Sequence, residues 1–435
     1  MATAPEEQTD AFSFIKGQED VVAPKEGASF DWKAAASVVR DHLRDAMNAQ
    51  HVAFLLGSGC SSLVRDGSQL GIPTMGPMAQ AYLTQVGPDA ASPYITDVER
   101  QTLLNFFGLN VGANQFLGNL ERLMEALYGA KFALRDTAEQ SAQNLSALVD
   151  GVIAKIARHV LSCCTTGPFA QADRSVLNLY QAFYQKLMLR DRSLPRPWIF
   201  TTNYDLFSET AMDRRGIPYC NGFQGVIERR FNPSVFRYAL AEQLDITSRK
   251  WNAVDSFVYL CKLHGSVNWI EDGQTLFPVR ELQGAPTDAA ARVLVYPTPA
   301  KQSASFAFPY SDLFREFQSR IVRDQSVLVV IGYSFGDEHI NNIIFQALTI
   351  PNFRLVAFLP PGADGVPAQL RDLKDPRIWL IGGGGPSPHS HAHHFDTFVE
   401  HFMPNLPGKN IEEAIEKVVQ GLLVKSATPA GGDGD

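Results

Sequence analysis

One short stretch constrains this chain more than any other: an apolar run that stops abruptly in polar residues. Residues 198–205 read WIFTTNYD, and the first three have the length and the aromatic and β-branched character of a buried parallel strand. In an open α/β sheet, ligands bind beyond the carboxyl ends of the strands, so the polar residues that follow are a candidate site. Taken alone, the stretch is explained equally well by Asn203 or Asp205 capping a helix that begins near Leu206.

The same arrangement recurs three more times along the chain. Each time, a short apolar run is followed at once by glycine, serine or histidine. The runs, with the residues that follow them, are 51–56 before Gly57-Ser58-Gly59-Cys60-Ser61, 257–263 before His264-Gly265-Ser266, and 326–331 before Gly332-Tyr333-Ser334. Helix capping explains any one of these polar ends easily and all four poorly. A crevice shared by the ends of four strands is the better interpretation.

The Gly57-x-Gly59 turn by itself is a weak signal. Glycines after a strand allow backbone N–H groups to approach a pyrophosphate closely. The third glycine of the Rossmann fingerprint is absent, since Ser62 stands there, and no strand ending in an acid follows about twenty residues later. A tight turn without a ligand therefore stays open beside a phosphate-binding turn.

The alternation of strands, turns and helices predicts an α/β protein with a doubly wound, Rossmann-like parallel sheet of about six strands. Further strands are predicted at 293–297, 354–359 and 377–381. Residues 78–192 have a helical period almost throughout, which predicts a large helical insertion subdomain. Such an insertion between two strands of one sheet is interpreted as a lid or an oligomerisation surface.

The ends of the chain differ in composition from its middle. The expected segments are an N-terminal arm (1–30), one folded domain (31–425) that ends in an amphipathic helix (411–424), and a disordered tail (426–435). Inside the helical insertion, the spacing of Asn119 and Glu121 is that of an exposed pair on a helix.

Composition argues against several classes of function. The formal net charge of −8 gives no electrostatic footprint for nucleic acid, so direct nucleic-acid binding is not predicted. No apolar run approaches the ~18 residues that span a bilayer. The acidic, polar first residues lack the regions of a secretory signal, and we expect a cytoplasmic protein with no membrane contact.

Metal binding is not predicted either. The five cysteines are scattered without a Cys-x-x-Cys pair, which argues against a zinc ribbon and a disulfide framework. Five histidines follow a run of four glycines near the C-terminus: His389, His391, His393, His394 and His401. Without cysteine partners, and beside those glycines, this segment is interpreted as a polar loop rather than a metal site.

Taken together, the polar turns resemble the NAD-binding signatures of sirtuins. The matching motifs, in chain order, are Gly57-Ser58-Gly59-x-Ser61, Gly71-Ile72-Pro73, Thr202-Asn203-Tyr204-Asp205, Leu263-His264-Gly265-Ser266 and Gly332-Tyr333-Ser334. The match is close to the sirtuin-like domains of bacterial anti-phage defence systems, in which a stretch like Asn119-x-Glu121 also recurs. The resemblance covers roughly residues 50 to 360.

Two departures bear on the reaction that this resemblance implies. Protein-deacylating sirtuins carry a zinc module with paired cysteines, and they have Gln-Asn-Ile-Asp where this chain has Thr202-Asn203-Tyr204-Asp205. Both departures point away from deacylation of an acyl-lysine peptide and toward hydrolysis of NAD. NAD is then a substrate, and no zinc is expected.

The resemblance also implies roles for individual residues. Asn203 would orient water or the ribose hydroxyls, His264 would accept a proton, and Asp205 would hold the nicotinamide amide or orient its loop. The Gly57/Gly59 turn and Ser61 would hold the pyrophosphate through backbone N–H groups. The full set of expected cofactor-binding residues is Gly57, Ser58, Gly59, Ser61, Thr202, Gly265, Gly332 and Ser334.

The function implied is an NAD hydrolase that depletes NAD as the effector of an abortive-infection system against phage. Its expected partners are further copies of the chain and a separate HerA-like ATPase. Three alternatives stay open: an NAD or ADP-ribose sensor without turnover, an NAD-dependent protein deacylase, and a nucleic-acid-directed effector. The acidic composition gives the last of these no support.

Overall fold

A computed structural model describes most of the chain. The described residues are 11–24, 29–135, 139–245, 250–272, 277–286, 293–295 and 308–405. The predicted C-terminal helix (411–424) and tail (426–435) lie outside them, as do residues 1–10 of the predicted arm.

Eighteen strands and thirteen α-helices occur in the described residues. The strands are β1 (Ser13–Lys16), β2 (Glu19–Asp20), β3 (His51–Leu56), β4 (Val64–Arg65), β5 (Ser68–Gln69), β6 (Trp198–Thr201), β7 (Tyr219–Cys220), β8 (Phe223–Gln224), β9 (Arg229–Phe231), β10 (Ala241–Asp245), β11 (Lys250–Ala253), β12 (Val258–Lys262), β13 (Gly265–Glu271), β14 (Val279–Glu281), β15 (Val293–Val295), β16 (Ser326–Ile331), β17 (Arg354–Phe358) and β18 (Ile378–Gly382). The helices are α1 (Trp32–Met47), α2 (Met75–Leu83), α3 (Asp97–Phe107), α4 (Asn114–Leu117), α5 (Leu120–Ala133), α6 (Gln140–Thr165), α7 (Pro168–Gln171), α8 (Ser175–Leu187), α9 (Phe207–Arg215), α10 (Tyr310–Ile321), α11 (Glu338–Leu348), α12 (Val366–Asp372) and α13 (Phe395–Thr397).

A nine-stranded sheet organises the molecule, with the strand order β2-β1-β18-β17-β16-β3-β6-β12-β7. The seven strands from β18 to β7 are parallel to their neighbours, and β1 and β2 add an antiparallel edge. The predicted fold class, a doubly wound parallel sheet in an α/β protein, is confirmed.

The six strands β3, β6, β12, β16, β17 and β18 were all predicted, because strands buried on both faces read as continuous apolar runs. In β3, Phe54 and Leu56 face a core that includes α1 and α8, whereas Ala53 and Leu55 face a core that includes α10 and α11. Alternate residues point to opposite sides of the sheet, and helices cover both sides.

Two parts of the predicted sheet need correction. Residues 293–297 were assigned to it, but β15 pairs with β13 in a separate sheet of the order β15-β13-β14-β9-β8. Apolar content predicts a strand and does not say which partner it pairs with. The main sheet also has more than the predicted six strands, because β1, β2 and β7 join it. The first two come from residues expected to form an arm, where Phe14 is fully buried.

The described residues of the connection from β3 to β6 form seven helices, α2 to α8, although these two strands are parallel neighbours. Helices α2, α3, α5 and α6 share a hydrophobic core of their own, which includes Leu103, Leu127 and Val152. Helix α8 lies in the range predicted for the insertion but packs on the sheet through Phe183 and Tyr184. Among the described helices, none is both long enough and apolar enough to cross a bilayer.

Candidate functional site

A cavity of about 650 Å³ lies at the carboxyl ends of the central strands. Parallel strands place their carboxyl ends at one edge of the sheet, which is why polar turns far apart in sequence meet there. The predicted site residues that line it are Ser58, Gly59, Ser61, Thr202, Asn203, Asp205, His264, Gly332 and Ser334. Gly57 and Gly265 were also predicted as cofactor-binding residues, and neither is in the lining.

The glycines after β3 and β16 pack against each other. Gly57 N–H donates to Ile331 O at 2.9 Å, and Gly59 N–H donates to Gly332 O at 2.9 Å. A Cβ on Gly57 would overlap the Gly332 carbonyl, and Gly332 itself has φ +64°. The N–H groups of Gly57 and Gly59 are therefore used inside the protein, which corrects the expectation that they hold a pyrophosphate. The glycines allow the close contact of the two turns.

Gly265 has a conformational role. Its φ of +85° lies in the left-handed region, where the chain passes from β12 into β13. Thr202 begins the polar end of β6, and its N–H donates to Leu56 O at 3.2 Å. Ser334 is exposed on the turn after β16.

Asn203 is held in place by the strand that precedes it. Its backbone N–H donates to Thr201 Oγ1 at 3.0 Å, and that hydroxyl donates to Leu56 O at 2.8 Å. Its carboxamide Nδ2 donates to Ser61 Oγ at 3.0 Å and lies 3.4 Å from Tyr180 OH. Oδ1 of Asn203 is buried and has no hydrogen-bond partner in the described part of the chain. The side chain thus presents one oriented acceptor.

Asp205 and Ser61 are joined by a hydrogen bond in the cavity wall. Ser61 Oγ donates to Asp205 Oδ2 at 2.6 Å, and Phe207 N–H donates to Asp205 Oδ1 at 2.9 Å. Both carboxylate oxygens therefore have a partner, which favours the loop-orienting role of Asp205 over a contact with the nicotinamide amide. Ser61 Oγ is also 2.8 Å from Tyr180 OH, and burial beside Asp205 raises the pKa of Tyr180 well above its ordinary value. Tyr180 was not predicted, because nothing near it in sequence belongs to the site.

His264 forms a buried pair with Asp337. Its Nε2 lies 3.2 Å from Asp337 Oδ2, and both side chains are less than one-tenth exposed. The other oxygen of Asp337 accepts from His339 N–H and Ile340 N–H, so the same carboxylate caps α11. Capping fixes the carboxylate, and the carboxylate in turn orients the imidazole. Asp337 was not predicted from the sequence as a site residue, although it belongs to the turn that follows β16.

Helices α2, α3, α5 and α6, which share one hydrophobic core, are called the helical unit below. This unit contributes to the cavity through the start of α5. Asn119 is exposed and caps α5, with its Oδ1 accepting from Arg122 N–H at 3.1 Å. Glu121 is half-buried, lines the cavity, and accepts a hydrogen bond from Tyr204 OH at 3.3 Å. Burial, with Glu121 next to it, raises the pKa of Tyr204 well above its ordinary value. Spacing alone predicted that Asn119 and Glu121 form an exposed pair on a helix. Asn119 is exposed, whereas Glu121 is half-buried in the cavity wall. Only the resemblance to sirtuin-like domains associated this stretch with the site.

A buried lysine supports the loop that carries Asp205. Lys262, 1% exposed, donates to the backbone oxygen of Asp205, to Glu209 Oε1 at 3.1 Å, and to Ser266 Oγ at 2.9 Å. It therefore ties the end of β6 to the start of α9 and to β13. Burial raises the pKa of Glu209 above its ordinary value, and Lys262 opposes that rise.

In the described residues, no group of three or more His, Cys, Asp and Glu side chains is arranged to hold an ion. The five cysteines are free.

Comparison with known proteins identifies part of this architecture. Residues 197–378 match the model of a family described as "SIR2-like domain", so a SIR2-like domain is present in the chain. The match starts just before β6 and includes Asn203, His264 and Asp337, whereas β3 and its glycine turn lie before it. SIR2-like domains use NAD. A search of curated proteins found no match to the chain.

Proposed function

We propose that this chain, with its SIR2-like domain, cleaves the nicotinamide–ribose bond of NAD and releases nicotinamide and ADP-ribose, with water as the acceptor. One observation carries the proposal. Asn203 and His264 follow the neighbouring strands β6 and β12, and both line the same cavity below the glycine turns of β3 and β16.

The charge of the cavity suits this reaction. Breaking the bond to nicotinamide builds oxocarbenium character on the ribose, so the site must stabilise positive charge. Carboxylates line the cavity at Glu121, Asp205, Asp337 and Asp364, whereas neither lysine nor arginine appears among the described lining residues. A cavity with this lining favours a developing cation.

Asn203 is suited to hold the nucleophile. Because Nδ2 is bound to Ser61, the carboxamide cannot rotate freely, and the unpartnered Oδ1 keeps one direction. That oxygen accepts a hydrogen bond from water or from a ribose hydroxyl, and it orients the group toward the reacting carbon.

His264 is suited to remove the proton. Its imidazole lines the cavity, and imidazole is the side chain that most often serves as a general base. Asp337 holds the ring and stabilises the imidazolium that forms when the water or a hydroxyl is deprotonated.

In the cell, the proposed activity would deplete NAD as the effector of an abortive-infection response to phage. This part of the proposal is supported by the resemblance of the five motifs to defence-system sirtuin-like domains. We further propose a cytoplasmic protein that assembles with copies of itself and with a separate HerA-like ATPase. Uncontrolled NAD loss would kill the host, which makes control by assembly reasonable.

The test is an incubation of the purified full chain with NAD, alone and with the product of a neighbouring gene. Chromatography of the products should show nicotinamide and ADP-ribose in equal amounts. Formation of O-acyl-ADP-ribose only when an acetylated peptide is present would identify a deacylase instead. Tight NAD binding with no product in either mixture would identify a sensor.

A further inference from the structure

Three histidines before α13 lie together at one side of the cavity. The ring centroids of His391, His393 and His394 are 4.8, 4.9 and 5.3 Å apart. His393 and His394 line the cavity. Of the other two C-terminal histidines, His389 is exposed, and His401 packs against Trp32.

The loop that carries the three rings is fixed by its own contacts. Ala392 N–H donates to Gly383 O at 2.8 Å, and His394 N–H donates to His391 O at 3.1 Å. Phe395, next in sequence, packs on Tyr180, and α13 contacts the 3₁₀ turn Ser58–Cys60 at the end of β3. The loop that carries the imidazoles is therefore held against the glycine turn that follows β3.

The ring nitrogens of these histidines are available. Among the described residues, none of the three rings makes a hydrogen bond, and Nδ1 of His393 is buried without a partner. Buried polar atoms in folded proteins almost always have a partner, so an unpartnered one beside a cavity is a group that a bound ligand can satisfy.

The rest of the cavity offers little to an anion. Its described lining has four carboxylates and lacks lysine and arginine, and His264 is engaged by Asp337. Burial, with His394 and His391 beside it, lowers the pKa of His393 to about 3, so this ring is a neutral N–H donor at pH 7. Phosphate oxygens accept hydrogen bonds and match such donors.

We propose that His393 and His394 are the side chains that bind the diphosphate of NAD, with His391 packed against both rings to hold them. This subsite rests on the proposed function, because that function supplies the dinucleotide. In this subsite, imidazole N–H groups donate to the phosphate oxygens, as lysine or arginine side chains often do in other proteins.

Binding of ADP and adenosine by the full-length chain separates this role from packing. Titration calorimetry should show that ADP binds more tightly than adenosine. The double variant His393→Ala/His394→Ala should weaken ADP at least about tenfold and leave adenosine within about twofold, since a hydrogen bond to a charged group is lost for ADP alone. His393→Asn and His394→Gln keep a side-chain N–H and should recover part of the loss.

His389→Ala is the matched control, an exposed histidine of the same loop, and should leave both affinities unchanged. Equal weakening of ADP and adenosine would mean a packing role and would overturn the proposal, as would unchanged ADP binding. One equivalent of zinc or nickel that copurifies with the chain and is lost in His393→Ala would make the cluster a metal site instead.

Nicotinamide release from NAD, measured on the same preparations, keeps the two proposals separate. If ADP binding depends on the histidines but no nicotinamide is released, the subsite stands and hydrolysis fails. If nicotinamide is released and ADP binding ignores the histidines, hydrolysis stands and the subsite fails.

Discussion

At the scale of single residues, the carboxamide of Asn203 is bound through its nitrogen and unpartnered at its oxygen. The ring of His264, in contrast, is paired through Nε2 with the carboxylate of Asp337, which belongs to another element. The two side chains approach the cavity from adjacent strands and are both nearly buried. Water and ribose hydroxyls bound between them would meet one acceptor and one base, the pair that hydrolysis needs.

We expect Asn203→Ala and His264→Ala each to lower nicotinamide release at least about a hundredfold, because each removes a group proposed to contact the reacting atoms. Initial rates at saturating NAD measure this, and circular dichroism checks the fold. The controls are Asn352→Ala and His389→Ala, both exposed and outside the cavity lining, which should keep the full rate. Undiminished release in both site variants would refute the assignment.

Asp337→Asn separates the two roles of this carboxylate. Asparagine caps a helix as well as aspartate does, so stability should change by less than about 0.5 kcal/mol. Without the negative charge beside His264, we expect kcat to fall at least about a hundredfold, as when the carboxylate that orients a catalytic histidine is neutralised. Asp31→Asn, which makes the same change at the cap of α1, should alter neither quantity. An unchanged kcat in Asp337→Asn would mean that Asp337 only caps.

At the scale of elements, the turns after β3 and β16 come so close that neither tolerates a side chain. In Gly57→Ala, the new Cβ would lie 2.5 Å from Tyr333 Cα and would also overlap the Gly332 carbonyl. We expect a loss of about 1–3 kcal/mol in the free energy of unfolding, because overpacking forces the backbone to shift. Urea denaturation measures it.

Gly129→Ala is the control for that change. Gly129 lies inside α5 with open space around its Cα, and alanine there should leave stability equal or raise it by up to about 1 kcal/mol. Equal effects at Gly57 and Gly129 would contradict the close contact between the two turns.

The loop between β6 and α9 depends on a buried charge pair. In Lys262→Met, Glu209 loses its partner, and we expect a destabilisation of about 3–5 kcal/mol near neutral pH together with a lower kcat. Lys155→Met breaks the similarly buried pair with Glu99 inside the helical unit, and should destabilise without changing kcat. Equal kcat in both variants would contradict the positioning role of Lys262.

The effect of Lys262→Met should depend on pH. Burial raises the pKa of Glu209, and the loss of Lys262 raises it further. A carboxyl group whose pKa is higher in the folded than in the unfolded state makes the protein less stable as pH rises through that range. The variant should therefore be more destabilised at about pH 8 than at about pH 5. The opposite slope would mean that Glu209 is not the group left without a partner.

At the scale of the whole molecule, the connection from β3 to β6 brings a third hydrophobic core, that of the helical unit, against the sheet edge where the strands end. The cavity lies between this helical unit and the strand ends, with Ile72 and Glu121 on one side and Asn203 and His264 on the other. A ligand bound in this cavity would contact both the helical unit and the strand ends.

Hydrogen exchange should report this contact. We expect ADP-ribose to slow amide exchange in residues 72–78 and 118–121, because the bound ligand would join the two units. The edge strands β1 and β2 lie at the far end of the sheet order and serve as the internal control. Protection confined to the turns after β3 and β16 would mean that the helical unit does not close on the ligand.

The sequence by itself determined the central strands and the end of the sheet at which the polar turns meet. Runs such as 51–56 and 326–331 are apolar on both faces, and only a strand covered on both sides buries such a run. Asn203 and His264 follow from the same pattern, because residues that directly follow parallel strands lie at the edge of the sheet where ligands bind. Each of these inferences needs only residues that are neighbours in the chain.

Tertiary structure decided what each polar group touches. Asp337 reaches His264 across 73 residues, Ser61 reaches Asp205 across 144, and Gly57 meets Gly332 from the other half of the chain. The partner of β15 and the contact between Glu121 and Tyr204 were decided in the same way. Strand pairing and side-chain contacts join segments that are distant in sequence, and local periodicity contains no information about such distances. The pattern therefore located the candidate site, and the folded chain decided which residues contact one another there.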